Sequence, residues 1–210
     1  MLPGQYARAG ALAAAISEFH EGGSYLASLR PMTAAGIFSR RGLFGSDVII
    51  RAALPSEFAE IGDIRVTAYC ADGYLSATSR YASTLRSLGA AGDGQILVAV
   101  DDGQLVGTVM LQYWPHAGQV VLGPDEAEIR ALAVAPAGRR RGTGRALVRA
   151  VTDRAASDGI QHLVLCTLPG MRAAHQLYEQ AGFHRLPERD WSPEPDATLL
   201  VYGLVLTDRR

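Results

Sequence analysis

Apolar and polar positions change period repeatedly along this chain, and the changes mark out its elements. Val48-Ile49-Ile50-Arg51-Ala52-Ala53 is a β-branched run that predicts a first strand, and Leu54-Pro55-Ser56 predicts a turn and helix cap after it. Phe58, Ile61, Ile64 and Ala68 then recur three and four residues apart, which predicts a helix over Glu57 to Cys70. Tyr74, Tyr81 and Leu85 share a face if the chain is helical again from Tyr74 to Leu88. Ile96 to Val100 and Leu105 to Leu111 read as strands joined by Asp101-Asp102-Gly103-Gln104, whose Asp-Gly pair signals a hairpin. Gln119 to Leu122 is a shorter run that extends the sheet ahead of the Gly123-Pro124-Asp125 turn.

The second half repeats the alternation of periods. Glu128 to Val134 is extended and stops at Pro136, which has no N–H for a ladder. From Arg145 onward Leu147, Ala150, Val151 and Ala155 fall at helical spacing, with Gly159 as the stop. His162 to Thr167 is a Leu- and Val-rich strand broken by Pro169-Gly170, and Arg172 to Ala181 is a helix closed by Gly182. Phe183 to Leu186, an acidic Pro-rich loop (Pro187 to Pro195) and a strand from Thr198 to Leu206 finish the chain. Such an order predicts an α+β fold: a mainly antiparallel sheet with helices on its faces.

Composition narrows the class. Within 210 residues, one domain over 46–210 with an extension over 1–45 is the simplest division. In the extension, Ala7 to Phe19 either form a short Ala-rich helix or stay flexible. Apolar residues make up 48% of the chain without any uninterrupted run near the ~20 residues of a membrane span. Ser39-Arg40-Arg41-Gly42-Leu43-Phe44 looks like a twin-arginine export signal, but Asp47 and Arg51 interrupt the apolar stretch it would need. A formal net charge of −1 argues against a general nucleic-acid binder. Cys70 and Cys166 form no C-x-x-C, so no metal or redox centre is expected, and both suit small buried positions in a reducing cytoplasm.

Basic residues are densest over 139–154, and there the chemistry is local. Gly138 to Gly144 is a loop of three arginines and three glycines that feeds a helix N-terminus. Glycines let backbone approach a ligand, while the unpaired N–H groups and positive dipole end of the helix favour phosphate oxygens. Arg139, Arg140 and Arg141 add forked donors. A Walker loop is excluded because the chain has no lysine, and a dinucleotide fingerprint because Gly142-Thr143-Gly144 lacks the third glycine.

What remains, Arg139-Arg140-Arg141-Gly142-Thr143-Gly144, resembles the R/Q-x-x-G-x-G/A signature of the GNAT N-acetyltransferases. A second segment, Ala174-His175-Gln176-Leu177-Tyr178-Glu179-Gln180-Ala181-Gly182-Phe183, is similar to the A-x-x-L-Y-x-x-x-G-F stretch of that family, and it follows at a suitable spacing. With the first strand and the hairpin, the resemblance covers about 46–210. It implies the GNAT fold: a central, mainly antiparallel mixed sheet whose fourth and fifth strands splay apart, flanked by helices on both faces. It also implies acetyl-CoA as cosubstrate, no metal, and an amine acceptor (a small molecule, a peptide N-terminus or a lysine). Neither nucleic acid nor membrane is implied as partner, and the protein would be a monomer or homodimer.

Site residues follow from the resemblance one by one. The pantetheine arm would lie along backbone groups of Leu132, Ala133 and Val134, in the manner of an added strand. The pyrophosphate would sit on Arg139, Arg140, Arg141, Gly142, Thr143, Gly144 and Arg145. Many relatives carry Asn seven residues before the tyrosine; here Met171 stands there. Helical spacing alone reads Tyr178 as a packed core residue, whereas the resemblance makes it the proton donor to the departing thiolate. Glu128 is either the group that takes a proton from the amine or a strand carboxylate paired with Arg130 or another arginine, with His116, His162 and His175 as alternative bases. A non-catalytic acyl-CoA-binding module on the same fold is the rival function.

For the acceptor, the first two helices, Gln112 to Val121 and Pro187 to Asp196 are the expected walls. Tyr69, Tyr74, Tyr81, Trp114 and Trp191 are candidate linings, and Asp72, Asp125 and Glu126 candidate attractors of a cationic amine.

Overall fold

The computed structural model describes residues 38–41, 47–118, 120–194 and 197–206, so the expected Ala7 to Phe19 helix lies outside the described residues. In chain order the elements are β1 (Phe38–Arg41), β2 (Asp47–Ala52), a 3-10 turn (Pro55–Glu57), α1 (Phe58–Ala71), α2 (Arg80–Ser87), β3 (Gln95–Asp101) and β4 (Gln104–Tyr113). Then come β5 (Glu126–Val134), α3 (Thr143–Ser157), β6 (His162–Thr167), α4 (Arg172–Gln180), β7 (His184–Arg185), β8 (Trp191–Glu194) and β9 (Ala197–Val205). The sheet runs β1-β2-β3-β4-β5-β6-β9-β7, with β8 on β9. Every pair is antiparallel except β5 with β6, so the sheet is mainly antiparallel, as the pattern of elements predicts, and mixed, as the resemblance implies. β1 pairs with β2 from ahead of the expected domain start, Phe38 opposite Ile50.

Local chemistry explains the boundaries. The β3–β4 hairpin turns on Asp102 (φ 49) and Gly103 (φ 78), the two left-handed residues that a tight primed turn demands. The second helix is shorter than its apolar spacing predicts and starts at Arg80. Ser79 caps it by accepting from the Ala82 amide at 3.2 Å, and Ser76 and Thr78 bond each other at 2.9 Å. Hydroxyls that compete for local hydrogen bonds thus hold 76–79 out of the helix. Of the expected Gln119 to Leu122 strand, Gln119 lies outside the described residues and 120–122 do not extend the sheet; Val120 and Val121 are buried in a loop, against Val164 and Val201. There the apolar run marks a packed loop, not a strand.

Both sheet faces are covered. Val109, Leu111, Ala127, Ile129, Leu163 and Leu165 point to one face, where Leu147, Val148 and Val151 of α3 and Tyr178 of α4 complete the main core. Ile96, Val98 and Met110 point to the other and meet Ile61 of α1.

Two irregularities shape the middle of the sheet. Pairing of β5 with β6 ends at Ile129 and Leu165, although both strands continue. From Arg130 to Val134 the edge of β5 that faces β6 therefore has no ladder partner, which is the splay expected from the resemblance. On its other edge β5 carries a bulge: Met110 pairs with Arg130 and Thr108 with Ala133, leaving Val109 opposite both Ala131 and Leu132. Ala131 takes φ 48, a left-handed conformation that costs a non-glycine residue about 1 kcal/mol.

Candidate active site

The phosphate loop forms as a 3-10 turn over Pro136–Gly138, followed by Arg139 to Gly142 and the start of α3. Gly142 caps α3 with φ 80, and an added Cβ there would meet nothing within 4 Å. Backbone geometry, not crowding, is what requires glycine. No side chain caps α3; its first helical bond is the Ala146 amide to the Gly142 carbonyl at 3.0 Å. The amides ahead of Ala146 thus present the helix N-terminus to an anion. Thr143 faces inward instead, its hydroxyl donating to the Gly138 carbonyl at 2.8 Å and bracing the loop.

The arginines divide in a way that sequence did not reveal. Arg139 is committed to Asp72 at the end of α1 by two bonds, 2.7 and 3.1 Å, and to the Val134 carbonyl at 3.2 Å. Arg141 pairs with the buried Asp101. Arg145 donates to Gln180 at 2.8 Å. Only Arg140, exposed and at φ 58, forms none of these pairs. Among the three loop arginines, then, two pin the loop and one faces outward.

Beyond the loop, the splay parts β5 from β6 after Ile129 and Leu165, and this gap, with the side chains of both sheet faces beside it, is the candidate cleft. Tyr178 packs in the main core, its ring 5.9 Å from that of Phe183 and 6.3 Å from that of Tyr202. Its hydroxyl makes no hydrogen bond among the described residues. It interacts electrostatically with Cys166 and with Tyr69, which belong to the opposite face. The phenol therefore reaches the gap between β5 and β6, and burial pushes its pKa up, so it stays protonated at neutral pH.

Glu128 is 4% exposed on the same gap. Its Oε2 accepts from the Gly118 amide at 2.9 Å, its Oε1 from the Cys166 thiol at 3.4 Å, and Arg130 Nε stands 3.9 Å away. Arg130 donates to Gln112 at 2.7 Å, and Gln112 to Asp93 at 2.8 Å, which forms a buried polar chain along β5 and β4. Burial, then the Glu128 charge, raises the Cys166 thiol well above its ordinary range, so it is a neutral donor rather than a nucleophile.

The candidate bases fall elsewhere. His116 is exposed, His162 faces Glu126 at 3.4 Å, and His175 Nε2 lies 3.0 Å from the Leu168 carbonyl beside Tyr202. Of the aromatic candidates, Tyr69 and Tyr81 line the cleft and Trp191 lies against Cys166 and Val164. Trp114 is 50% exposed, and Tyr74 bonds the Gly170 carbonyl. The acidic candidates do not converge on the cleft: Asp72 holds Arg139, Glu126 holds Arg189, and Asp125 is exposed. Sequence reasoning missed Arg65, and it gave Gln112 only as one end of an acceptor wall, Arg130 only as a partner of Glu128 and Cys166 only as a small buried residue. A signal existed for Arg65, a charge set among Ile61, Ile64 and Ala68 on the apolar stripe of α1.

The fold has known counterparts. Residues 59–183 match the model of the Acetyltransferase (GNAT) family. No curated protein matches the sequence. Among solved structures, an acetyltransferase of the GNAT family from Staphylococcus aureus Mu50 is similar at TM-score 0.62 and 17% identity, covering 76% of this chain and 99% of that one. The yncA protein of Salmonella typhimurium, solved with its cofactor acetyl-CoA, is similar at TM-score 0.58 and 20% identity over 77% of this chain and 95% of that one. The ribosomal-protein-S18-alanine N-acetyltransferase of Escherichia coli is similar at TM-score 0.56 and 20% identity, covering 77% and 97%.

Proposed function

The chain belongs to the acetyltransferase (GNAT) family, and from that premise we propose that it is an N-acetyltransferase that moves the acetyl group of acetyl-CoA directly onto a primary amine in a ternary complex. The observation that carries this reading is the open β5 edge from Arg130 to Val134, set between an anion-ready loop and the Tyr178 hydroxyl. The residues fit the cosubstrate: Gly142, Thr143, Gly144 and Arg145 offer amides to the pyrophosphate with Arg140 beside them, and Leu132, Ala133 and Val134 offer a strand edge to the pantetheine arm. Arg139 and Arg141 serve by holding the loop in place.

Chemistry follows from these positions. The amine nitrogen attacks the thioester carbonyl, an N–C bond forms, and the oxyanion is held by a β5 amide. As the C–S bond breaks, the thiolate takes the Tyr178 proton. Glu128 accepts two hydrogen bonds, yet a carboxylate has about four acceptor positions, so it can still take the amine proton, directly or through water.

The catalytic domain in this reading is 46–210, with β1 as an added edge, and the protein works in the cytoplasm as a monomer or homodimer without a metal. Among the described residues, no helix is long and apolar enough to cross a membrane, and no cluster of His, Cys, Asp and Glu could hold a metal ion. Release of CoA thiol from acetyl-CoA, measured across a panel of amines beside direct acetyl-CoA binding, tests the reading. Binding without amine-dependent release would leave a non-catalytic acyl-CoA module.

A further inference from the structure

On the α1 side of the gap, the protein buries more hydrogen-bond donors than the described residues satisfy. Arg65 is fully buried, one helical turn before Tyr69 on the same face of α1. Its Nη1 donates to the Leu85 carbonyl at 3.2 Å and the Leu88 carbonyl at 2.7 Å, closing the end of α2. Its Nε and Nη2 are buried without any partner, a costly state for a charged group out of water. Tyr69 and Tyr81 pack, as the bulged Ala131 does, on the cluster of Val66, Leu75, Ala82 and Leu85, and neither hydroxyl makes a hydrogen bond among the described residues. Arg130, with its side chain 10% exposed, is a second guanidinium at this place.

Acceptors are scarce by comparison. Gln112 Oε1 serves Arg130, Asp93 Oδ2 serves Gln112, and Glu128 serves Gly118 and Cys166. Asp93 Oδ1 is buried without a hydrogen-bond partner among the described residues, and its charge acts on Arg65 from beyond ion-pair distance. Burial brings the Arg65 guanidinium down to about 10, with Tyr69, Tyr81 and Asp93 acting against it and the Arg130 charge acting with it. A bound anion would relieve both effects.

We propose that the acceptor amine carries a carboxylate, which seats between Arg130 and Arg65 beneath the hydroxyls of Tyr69 and Tyr81. The substrate is then an amino acid or a similar amino carboxylate, not a polyamine or a lysine in a basic segment. This assignment rests on the acetyltransferase reading and narrows it. Its elements are independent of the cofactor loop: α1 and α2 supply Arg65, Tyr69 and Tyr81, and β5 supplies Arg130.

The test compares acetyl transfer to amino acids with small, apolar and acidic side chains against their carboxamides and the amines lacking the carboxylate, with spermidine included. The amino acids should be preferred at least tenfold in kcat/KM. Tyr81→Phe and Tyr69→Phe keep the rings in place; each should lower kcat/KM for the amino acids about tenfold, through KM, and for the carboxamides by less, because a hydrogen bond to a charged group is the larger loss. Arg65→Met should abolish the preference, and the two Phe variants decide the matter if it does not fold. Carboxamides or spermidine used as well as amino acids would overturn the inference while leaving the acetyltransferase reading intact. If no amine is acetylated, calorimetric titration of the CoA-loaded protein with the same amino acids and carboxamides decides: equal or absent binding overturns it. Absence of both acetyl-CoA binding and transfer would instead sink the acetyltransferase reading.

Discussion

Arg139 reaches across from the loop before α3 to clasp Asp72 at the end of α1, with Nη1 and Nη2 bonding the two carboxylate oxygens at 2.7 and 3.1 Å. The pair ties the phosphate loop to the helix that carries Arg65 and Tyr69. Its side chains are 33% and 39% exposed, so it is a positioning contact of modest energy. In a double-mutant cycle, Arg139→Ala and Asp72→Ala should show a coupling of about 0.2–1 kcal/mol in stability. Each single variant should weaken acetyl-CoA binding to a similar degree, because each frees the same loop. Calorimetry that finds Arg139→Ala far worse than Asp72→Ala would return Arg139 to the pyrophosphate.

Gly142→Asp probes the loop itself. Space exists for the new side chain, and Asp tolerates φ 80 better than most residues, so the fold should survive. The carboxylate would occupy the helix N-terminus and repel the cosubstrate. Acetyl-CoA affinity should fall at least tenfold, about 1.4 kcal/mol. Unchanged affinity in a folded variant would remove this loop from the cofactor site.

Tyr178→Phe keeps the contacts with Phe183 and Tyr202 and deletes only the hydroxyl. If that hydroxyl protonates the leaving thiolate, kcat should drop by about 10² to 10⁴ with acetyl-CoA affinity nearly constant. A variant within about threefold of wild type would leave water as the proton source.

Glu128→Gln is the matching test on the other proton. The amide oxygen can still accept from the Gly118 amide, so the loop stays seated, but the charge is gone. A fall in kcat of about 10² or more is expected at unchanged acetyl-CoA binding. Full activity would make Glu128 the partner of Arg130 and nothing further.

Alkaline stability reports on the cleft as a whole. Tyr69, Tyr81, Tyr178 and Cys166 all have pKa values raised by burial. Their stabilising contribution is complete below the unfolded values, about 8.5 for the thiol and 10 for the phenols, and is lost as pH rises toward the folded ones. The melting temperature should hold steady near neutrality and fall progressively above about pH 9. Tyr69→Phe should blunt the fall; an unaltered curve would mean that its hydroxyl is hydrated in the folded protein.

Much of this was legible from residue order. Periodicity located β6 and, within a few residues, β2 to β5, β7, β9 and α1, α3 and α4, because the sheet is covered on both faces and these strands are strongly apolar; β1 and β8 fall where an extension and a loop were expected. Two motifs pointed to the loop and to Tyr178. The start of α2 was misread because side-chain hydroxyls at 76–79 override helical spacing, and Val120-Val121 because burial in a loop needs no ladder. Acidic residues near the cleft in sequence turned out to be spent on Arg139 and Arg189. Such pairings join residues some 60 positions apart, and no local pattern encodes them.

The bulge at Ala131 acts as a change of reading frame within one strand. Before it, Ala127 and Ile129 face the main core while Glu128 lines the gap; after it, Leu132 and Val134 face the core while Ala131 and Ala133 lie on the α1 side. An uninterrupted strand would reverse the second half, driving two bulky side chains into the cleft and leaving two methyl groups to fill the interior. Deleting the single residue Ala131 would thus remove the bulge and still leave Leu132 and Val134 facing the core, whereas a change that flattened the bulge with Ala131 in place would put both on the wrong side of the sheet.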